Sequence, residues 1–268
     1  MFSRTIPIDK RAEKIATHQR LVLASRRQLS RYLPAHASFP KAGKIVHFEG
    51  VNGPDGLASK RSAGDEPYQF IKPGTDGGKL IRHIKHHLYN LNRAYKKGDE
   101  VKMAFEAAWM SHMMIDGLTP AHQQPFKDQL KELDDREMSE VNSRIMRIIS
   151  PGDGPVDFLV KNWKRLGPGG VGTNHMMFEA GVDFLVMPLH PRQLMTSLSR
   201  GDVRRAKSGK FIELYLESVN KVAKMEIFER YVDEGWTAEL ARDVREVLLP
   251  EIVRCVTLGW IAGIYSGK

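Results

Sequence analysis

Cysteine is almost absent from this chain of 268 residues, which carries only Cys255. A lone cysteine forms no internal disulfide, so disulfide-rich frameworks are excluded, together with the zinc modules that are built on several cysteines. Any tightly bound metal ion must therefore be held by histidine and carboxylate side chains.

Long uninterrupted apolar runs are also lacking. The N-terminal stretch MFSRTIPIDKRAEK has charges where a signal peptide has a continuous apolar segment, and no later uninterrupted run has membrane-spanning length. These absences predict a cytoplasmic protein that does not span a membrane. Export with a leader that is missing from this sequence is left open, because such a protein would show the same pattern.

The overall composition is that of a globular protein, with 41% hydrophobic and 27% charged residues. No break in composition divides the chain, so we expect one domain over residues 1–268. Lys and Arg number 41 against 32 Asp and Glu, which gives a net charge of +9. This excess either keeps the protein soluble or attracts phosphate-bearing partners, such as nucleic acid or an anionic membrane surface.

Helical periodicity dominates the chain, and no strand-like alternation of comparable length occurs. The spacing of apolar residues predicts an amphipathic helix from Ile8 to the residue before Pro34, with His18 pointing inward. Residues 34–78 are rich in Gly, Pro, Ser and Asp and should form a long irregular segment. Further helices are predicted over about 80–97, 100–117, 129–149, 175–186, 209–233, 237–248 and 250–264. The expected N-caps are Asp99, Asn174 and Thr237.

The stretch AWMSHMMIDGLTPAHQQPF carries the clearest chemical signal. His112 and Asp116 are four residues apart and share one helical face, and His122 lies six residues further on, past a Gly and Pro break that turns the chain back. His175 and Glu179 repeat the four-residue spacing on another predicted helix. Three imidazole nitrogens and two carboxylate groups directed at one interior are typical ligands of zinc.

Core packing is the alternative interpretation of these side chains, because single histidines on apolar faces are usually ordinary core residues. Two such pairs on apolar stripes favour metal binding, since a buried polar group without a partner costs about 1–3 kcal/mol. In the sequence HIKHH, His87 falls on the apolar side of its helix, whereas His83 and His86 face elsewhere and favour a solvated basic surface.

The irregular segment contains further candidates for a metal ligand or a catalytic base. They are His47, Glu49, Asp55, Asp65 and Glu66. Their spacing alone does not choose among them.

The central residues resemble the zinc-dependent phospholipases C and the fungal single-strand-specific nucleases. That superfamily carries His-x-x-x-Asp, Pro-x-His and His-x-x-x-Glu or His-x-x-x-Asp, to which His112, Asp116, Pro120, His122, His175 and Glu179 correspond. The stretch THQRLVLASRRQL resembles its first helix, with His18 as the metal-binding histidine, and LLPEIVRCVTLGWIAGIYSG resembles its closing helix. The resemblance covers most of the chain and implies an all-α fold, a single-domain multi-helix bundle of this type.

The resemblance also implies the chemistry. It assigns His122, His175 and Glu179 to one zinc ion, His112 and Asp116 to a second, and Asp116 with His18 to a third. Asp116 would then bridge two metals and be a catalytic residue, with Asp55 and Asp65 as further candidates. The implied activity is zinc-dependent hydrolysis of phosphate diesters by a metal-bound hydroxide, with phospholipid head groups or single-stranded nucleic acid as substrates.

Three features depart from the family pattern. The chain starts Met-Phe, where the family has a mature N-terminal Trp that ligates a metal. In YQFIKPG, Gln69 replaces a family histidine, and His47 is the candidate substitute. The interval between His122 and His175 is long and predicts an insertion at about 125–172. An alternative follows: a non-catalytic descendant, with one zinc ion or none, that binds anionic polymers, membranes or a protein partner.

Two sets of residues bear on the choice of substrate. A nuclease needs aromatic side chains near the metals for base stacking, for which Trp109, Trp163 and Tyr68 are candidates. A phospholipase needs an exposed apolar rim, for which VMPLHPRQLM is a candidate. Packing in the protein core would explain each of these aromatic and apolar side chains equally well.

Overall fold

The computed structural model of the chain describes residues 6–9, 12–14, 16–34, 37–49, 53–54, 70–123, 154–167 and 169–265. These residues are mostly helical, as predicted, and begin with a short antiparallel hairpin of β1 (Ile6–Asp9) and β2 (Ala12–Lys14). The α-helices are α1 (Thr17–Leu29), α2 (Ala42–His47), α3 (Gly78–Lys97), α4 (Glu100–Gly117), α5 (Pro155–Leu166), α6 (Val171–Val186), α7 (Arg200–Lys207), α8 (Phe211–Ala223), α9 (Ile227–Glu234), α10 (Ala238–Asp243) and α11 (Leu249–Tyr265). Short 3-10 turns cover Pro120–His122 and Pro191–Leu194, and a π-turn over Val244–Leu248 joins α10 to α11.

Local capping signals predicted several helix ends correctly. Gly98 ends α3 in the left-handed conformation, with φ of 69°, which glycine adopts without a steric penalty. The side chain of Asp99 accepts a hydrogen bond from the backbone N–H of Lys102 at 2.9 Å and starts α4. Thr237 accepts in the same way from the N–H of Leu240 at 3.1 Å and starts α10.

Other predicted boundaries are wrong. The first helix does not begin at Ile8, because residues 6–9 and 12–14 pair as antiparallel strands and the helix covers only Thr17–Leu29. Asn174 is not an N-cap, since α6 already begins at Val171 and the Asn174 amide donates to the carbonyl of Gly169. The helical spacing of apolar residues continues across these helix starts, so it does not show where the helical backbone begins.

The remaining differences concern whole segments. The helix predicted over 209–233 is interrupted between α8 and α9, where Glu226 has a left-handed φ of 48°. The two helices predicted over 237–248 and 250–264 form one continuous helical run through the π-turn. The segment 34–78 contains the short helix α2. The helix predicted over 129–149 lies outside the described residues, as does most of the expected insertion apart from α5 and the start of α6.

Helix α11 forms the centre of the bundle and packs against α1, α3, α4, α7 and α8. A Cβ at Gly263 would lie 2.5 Å from Cδ2 of Leu91, so α3 and α11 approach this closely only because glycine is present. The indole N–H of Trp260 donates to the carbonyl of Ala107 in α4 at 3.2 Å. These contacts fix α4, which carries His112 and Asp116, against the apolar core.

The helical run Ala238–Tyr265 is long and apolar enough to cross a membrane by length and composition. Of the most apolar 18-residue stretch in this run, 83% is buried inside the protein. A helix that is apolar all round and buried in this way is typical of the core of a large helical protein.

Candidate metal centre

Six predicted ligands meet inside the bundle in two groups. The first group consists of His18, His112 and Asp116, and the second group consists of His122, His175 and Glu179. Within each group the candidate ligand atoms all lie within 4.8 Å of one another. Residues from α1, α4, the Pro120–His122 turn and α6 are thus brought to one region of the protein.

The end of α4 explains how three of these side chains converge. His112 and Asp116 are one helical turn apart and buried, and the helix ends at Gly117. A Cβ at Gly117 would lie 2.2 Å from the hydroxyl oxygen of Tyr215, so this close approach requires glycine. The following 3-10 turn brings Nδ1 of His122 to 3.7 Å from Oδ1 of Asp116. Asp116 is therefore the side chain that links the two groups.

In the second group, three atoms form a nearly equilateral triangle. Nε2 of His122 lies 3.3 Å from Nε2 of His175 and 3.2 Å from Oε1 of Glu179, and the His175 and Glu179 atoms are 3.2 Å apart. Tetrahedral zinc with ligands at 2.0–2.1 Å separates those ligands by about 3.3 Å. The triangle therefore has the dimensions of three zinc ligands, with a fourth coordination position left over.

Aromatic packing and one polar contact hold α6, which carries His175 and Glu179. Phe178 stacks on Trp236 with ring centroids 5.5 Å apart and planes 9° from parallel. The same indole lies against Gly181, where a Cβ would be 2.1 Å from its Nε1 atom. The hydroxyl of Thr17, at the start of α1, donates to Oδ1 of Asp183 at 2.6 Å. Helix α6 is thus fixed against α1 and against the α9–α10 connection.

In the first group, the two carboxylate oxygens of Asp116 face one histidine each. Oδ1 lies 3.2 Å from Nε2 of His18, and Oδ2 lies 3.2 Å from Nε2 of His112. All three side chains are buried, which confirms the prediction that His18 points inward. The resemblance assigns His18 and His112 to separate metals that Asp116 would bridge, and the structure places one of these histidines beside each oxygen of Asp116.

Glu49, one of the candidates among which spacing in the sequence did not choose, lies at this site. Its Oε1 atom lies 2.9 Å from Nδ1 of His18 and 2.9 Å from Nδ1 of His112, and its side chain is fully buried. His47, the predicted extra ligand, is not in either group. Its side chain is exposed at the end of α2, and its ring packs against Phe48 at a centroid distance of 5.0 Å. The chain turns inward only after α2, so Glu49 and not His47 reaches the histidines.

The other candidates from the irregular segment lie outside the described residues. They are Asp55, Asp65, Glu66, Tyr68 and Gln69. The chain is described again from Phe70, whose ring centroid is 5.5 Å from that of His122. The N–H of Ile71 donates to the carbonyl of His122 at 3.2 Å, which supports the turn that carries this histidine.

The electrostatics of the site favour ionised carboxylates. Burial acts to raise the pKa of Asp116, but the neighbouring His112, His122 and His18 outweigh it, and the pKa is held well below its ordinary range. Burial acts to lower the pKa of His18, but the carboxylates of Glu49 and Asp116 outweigh it and raise the pKa. The pKa of His122 is lowered, mainly by burial.

Unsatisfied polar atoms in this region provide a test of whether a metal ion fits. Nδ1 of His122 and Oε2 of Glu49 are buried and make no hydrogen bond with any described residue. Burying such atoms costs free energy that a bound cation would offset. Glu49, Asp116 and Glu179 carry three negative charges, so two divalent ions would offset all of them and leave one net positive charge while the histidines stay neutral. The nitrogen and oxygen donors match zinc.

The remaining histidine prediction is also settled by geometry. His87 is buried, as expected from its apolar stripe, and its Nδ1 atom pairs with the buried carboxylate of Glu106 on α4. This pair belongs to neither metal group among the described residues. His86 is exposed, in agreement with the predicted solvated face.

Comparisons of this chain with protein-family models, with curated proteins and with solved structures give no match. The functional conclusion therefore depends on the geometry of the two groups and on the chemistry of their side chains.

Proposed function

We propose that this protein is a zinc-dependent hydrolase of phosphate diesters, with a fold of the phospholipase C and single-strand nuclease type. The observation that carries the proposal is the pair of ligand groups that meet at Asp116. In the first group, zinc would be held by His18, His112 and Asp116. In the second group it would be held by His122, His175 and Glu179.

The number of protein ligands supports catalysis over a purely structural role. A structural zinc site is closed by four protein ligands, whereas catalytic sites typically use three and leave a position for water or substrate. Each described group has three candidate ligands. When bound, zinc makes water more acidic and neutralises negative charge on the phosphate group.

The protein side chains contribute position and access. The first group is fully enclosed, while the His175 side chain in the second group is 17% exposed, so the substrate phosphate would enter at the second group. Asp116 keeps the two groups adjacent, and Glu49 holds protons on the outer nitrogens of His18 and His112. The described residues offer two groups, and we therefore propose two zinc ions.

Exposed apolar side chains beside the second group favour a phospholipid over single-stranded nucleic acid. Met176 and Met177 follow His175 directly and are 50% and 56% exposed. Methionine side chains suit acyl chains better than they suit the stacking of bases, which needs aromatic faces. Trp109 does not serve as a stacking platform, because it packs between Phe105 and His87.

The test of this proposal is turnover by the zinc-loaded protein. A chromogenic phosphodiester, bis(p-nitrophenyl) phosphate, should be hydrolysed, and the activity should disappear with a chelator and return with added zinc. Dispersed phosphatidylcholine should then be cleaved faster than a single-stranded oligonucleotide. Zinc-loaded protein without any turnover would contradict the proposal and would favour the alternative, a zinc-containing binding module for anionic polymers, membranes or a protein partner.

A further inference from the structure

Glu49 connects two helices through a single oxygen atom. It lies two residues after α2, and its Oε1 atom lies 2.9 Å from Nδ1 of His18 on α1 and equally 2.9 Å from Nδ1 of His112 on α4. The three side chains are fully buried. A carboxylate accepts hydrogen bonds and donates none when it is ionised. Each of these contacts is therefore an N–H group donating to Glu49.

This arrangement determines the tautomer of both histidines. Since Nδ1 carries the proton in each neutral ring, Nε2 keeps its lone pair. Both Nε2 atoms face Asp116, at 3.2 Å from one or the other of its oxygens. A lone pair directed at the ligand position is what a metal ion requires of a histidine, so Glu49 orients both neutral rings for coordination.

The second group shows no such arrangement for His122. Nδ1 of His122 makes no hydrogen bond with any described residue. The ring instead stacks on His175, with planes 8° from parallel and centroids 4.9 Å apart. The orientation of the second group thus depends on ring packing, and that of the first group on a carboxylate.

The charge of Glu49 has a second effect. Its other oxygen, Oε2, is buried without a hydrogen bond among the described residues. Its negative charge is therefore offset by the two N–H groups and by whatever cation the histidines bind. A buried charge that loses its partner is strongly unfavourable, so the carboxylate and the cation stabilise each other.

We propose that Glu49 is the positioning residue of the first group, which orients His18 and His112 together and raises the zinc affinity of that group alone. This inference rests on the proposed zinc sites. Glu49 contacts Nδ1 of both histidines and is not among the candidate ligands of the group, so it would act through the histidines. Removing an outer partner of this kind typically weakens metal binding about 10–100-fold.

The chain contains a matched control for this inference. Glu106 is also a buried glutamate that accepts from Nδ1 of a histidine, His87, and it lies on α4 outside both groups. Glu49→Gln and Glu106→Gln each remove one buried negative charge and keep the shape and one acceptor oxygen. A purely structural role of Glu49 predicts the same result for both variants.

The experiment is a titration of the metal-free full-length chain with zinc against a chromogenic chelator. Wild type and Glu106→Gln should bind two ions with unchanged affinities. Glu49→Gln should bind one ion about 10–100-fold more weakly and the other as in wild type. Circular dichroism checks that each variant is folded, and Glu49→Asp, whose shorter side chain cannot reach both rings, replaces Glu49→Gln if that variant does not fold.

The outcomes separate this inference from the proposed function. Two tightly bound ions in Glu49→Gln, or an equal loss at both groups, would overturn the positioning role and leave the two zinc sites in place. A wild type that binds no zinc would overturn the proposed function itself, and with it the role of Glu49.

Discussion

The two ligand groups contain the same kinds of residue but differ in how the protein supports them. Both use a histidine and an acid four residues apart on one helix, with one more histidine from elsewhere. The first group is enclosed in the core and tied to Glu49. The second group is partly open, and its orientation depends on how α6 packs against Trp236. Identical spacing in the sequence thus gives one buried group and one partly accessible group.

Under the proposed function, this difference would give the two groups different tasks. The enclosed first group suits an ion that stays bound, because its ligands are oriented and shielded from water. The second group suits the position where a substrate enters, because His175 borders solvent and the exposed methionines. Variants that change one group, or Asp116 between the two groups, test this difference.

Asp116→Asn should have the largest effect, because Asp116 faces both histidines of the first group and also approaches His122. An amide in place of the carboxylate removes the charge that attracts the ions. We expect kcat/KM for the chromogenic diester to fall by more than about 100-fold. This is a larger loss than removal of a side chain that only hydrogen-bonds to a metal ligand would cause. Asp202→Asn, which changes a surface acid paired with Arg254, is the control. Activity within a few-fold of wild type would show that Asp116 does not hold a catalytic ion.

His122→Ala should affect the second group alone. It removes one corner of the ligand triangle, while the first group keeps its ligands and Glu49. Zinc content measured by plasma mass spectrometry should fall from two ions per chain to one. His86→Ala, at an exposed position of α3, should keep both ions. Unchanged zinc content in His122→Ala would mean that this histidine is not a ligand.

Gly181→Ala should weaken the second group indirectly. The new Cβ would lie 2.1 Å from Nε1 and 2.3 Å from Cε2 of Trp236, so α6 or the indole must move. Overpacking of this kind costs about 1–3 kcal/mol of unfolding free energy. Urea unfolding should show the loss, and chelator competition should show weaker zinc binding at one group only. Gly201→Ala, where the nearest atom is 3.6 Å away, is the control, and equal effects of the two changes would count against the role of α6 packing.

Glu106→Gln should have the smallest effect, because its histidine pair belongs to neither group. Burial acts to raise the pKa of Glu106, but hydrogen bonds from His87 and Lys102 outweigh it and lower the pKa from its ordinary 4.5. A carboxyl whose pKa is lowered by folding stabilises the folded state above its unfolded pKa, and this contribution disappears as the pH falls through the folded pKa.

The variant should therefore be less stable than wild type by about 1–2 kcal/mol at neutral pH. The difference should shrink as the pH falls below 4.5, where the wild-type carboxyl takes up its proton. Urea unfolding of both proteins at neutral and acidic pH measures this. A constant difference at all pH values would show that Glu106 contributes through packing and not through its charge.

Local features of the sequence predicted much of the fold and most of the site. The four-residue spacing of His112 and Asp116, and of His175 and Glu179, is sufficient because helix geometry alone puts such side chains on one face. A capping residue such as Asp99 accepts a hydrogen bond from a backbone N–H only three residues further along the chain, so the start of its helix is also predictable from the sequence.

Contacts between distant segments account for what the sequence did not predict. Glu49 meets His18 across 31 residues and His112 across 63, and the short helix α2 that orients it gives no clear periodic signal. The hairpin before α1 depends on backbone pairing between Ile6 and Lys14, which helical periodicity does not reveal. Both features are set by tertiary packing and not by local preference.

Anomalous X-ray diffraction at the zinc edge, from crystals grown with zinc, tests the central claim most directly. We expect one peak within bonding distance of His18, His112 and Asp116, and a second within bonding distance of His122, His175 and Glu179. Zinc found only at surface residues, with no peak in either group, would contradict it.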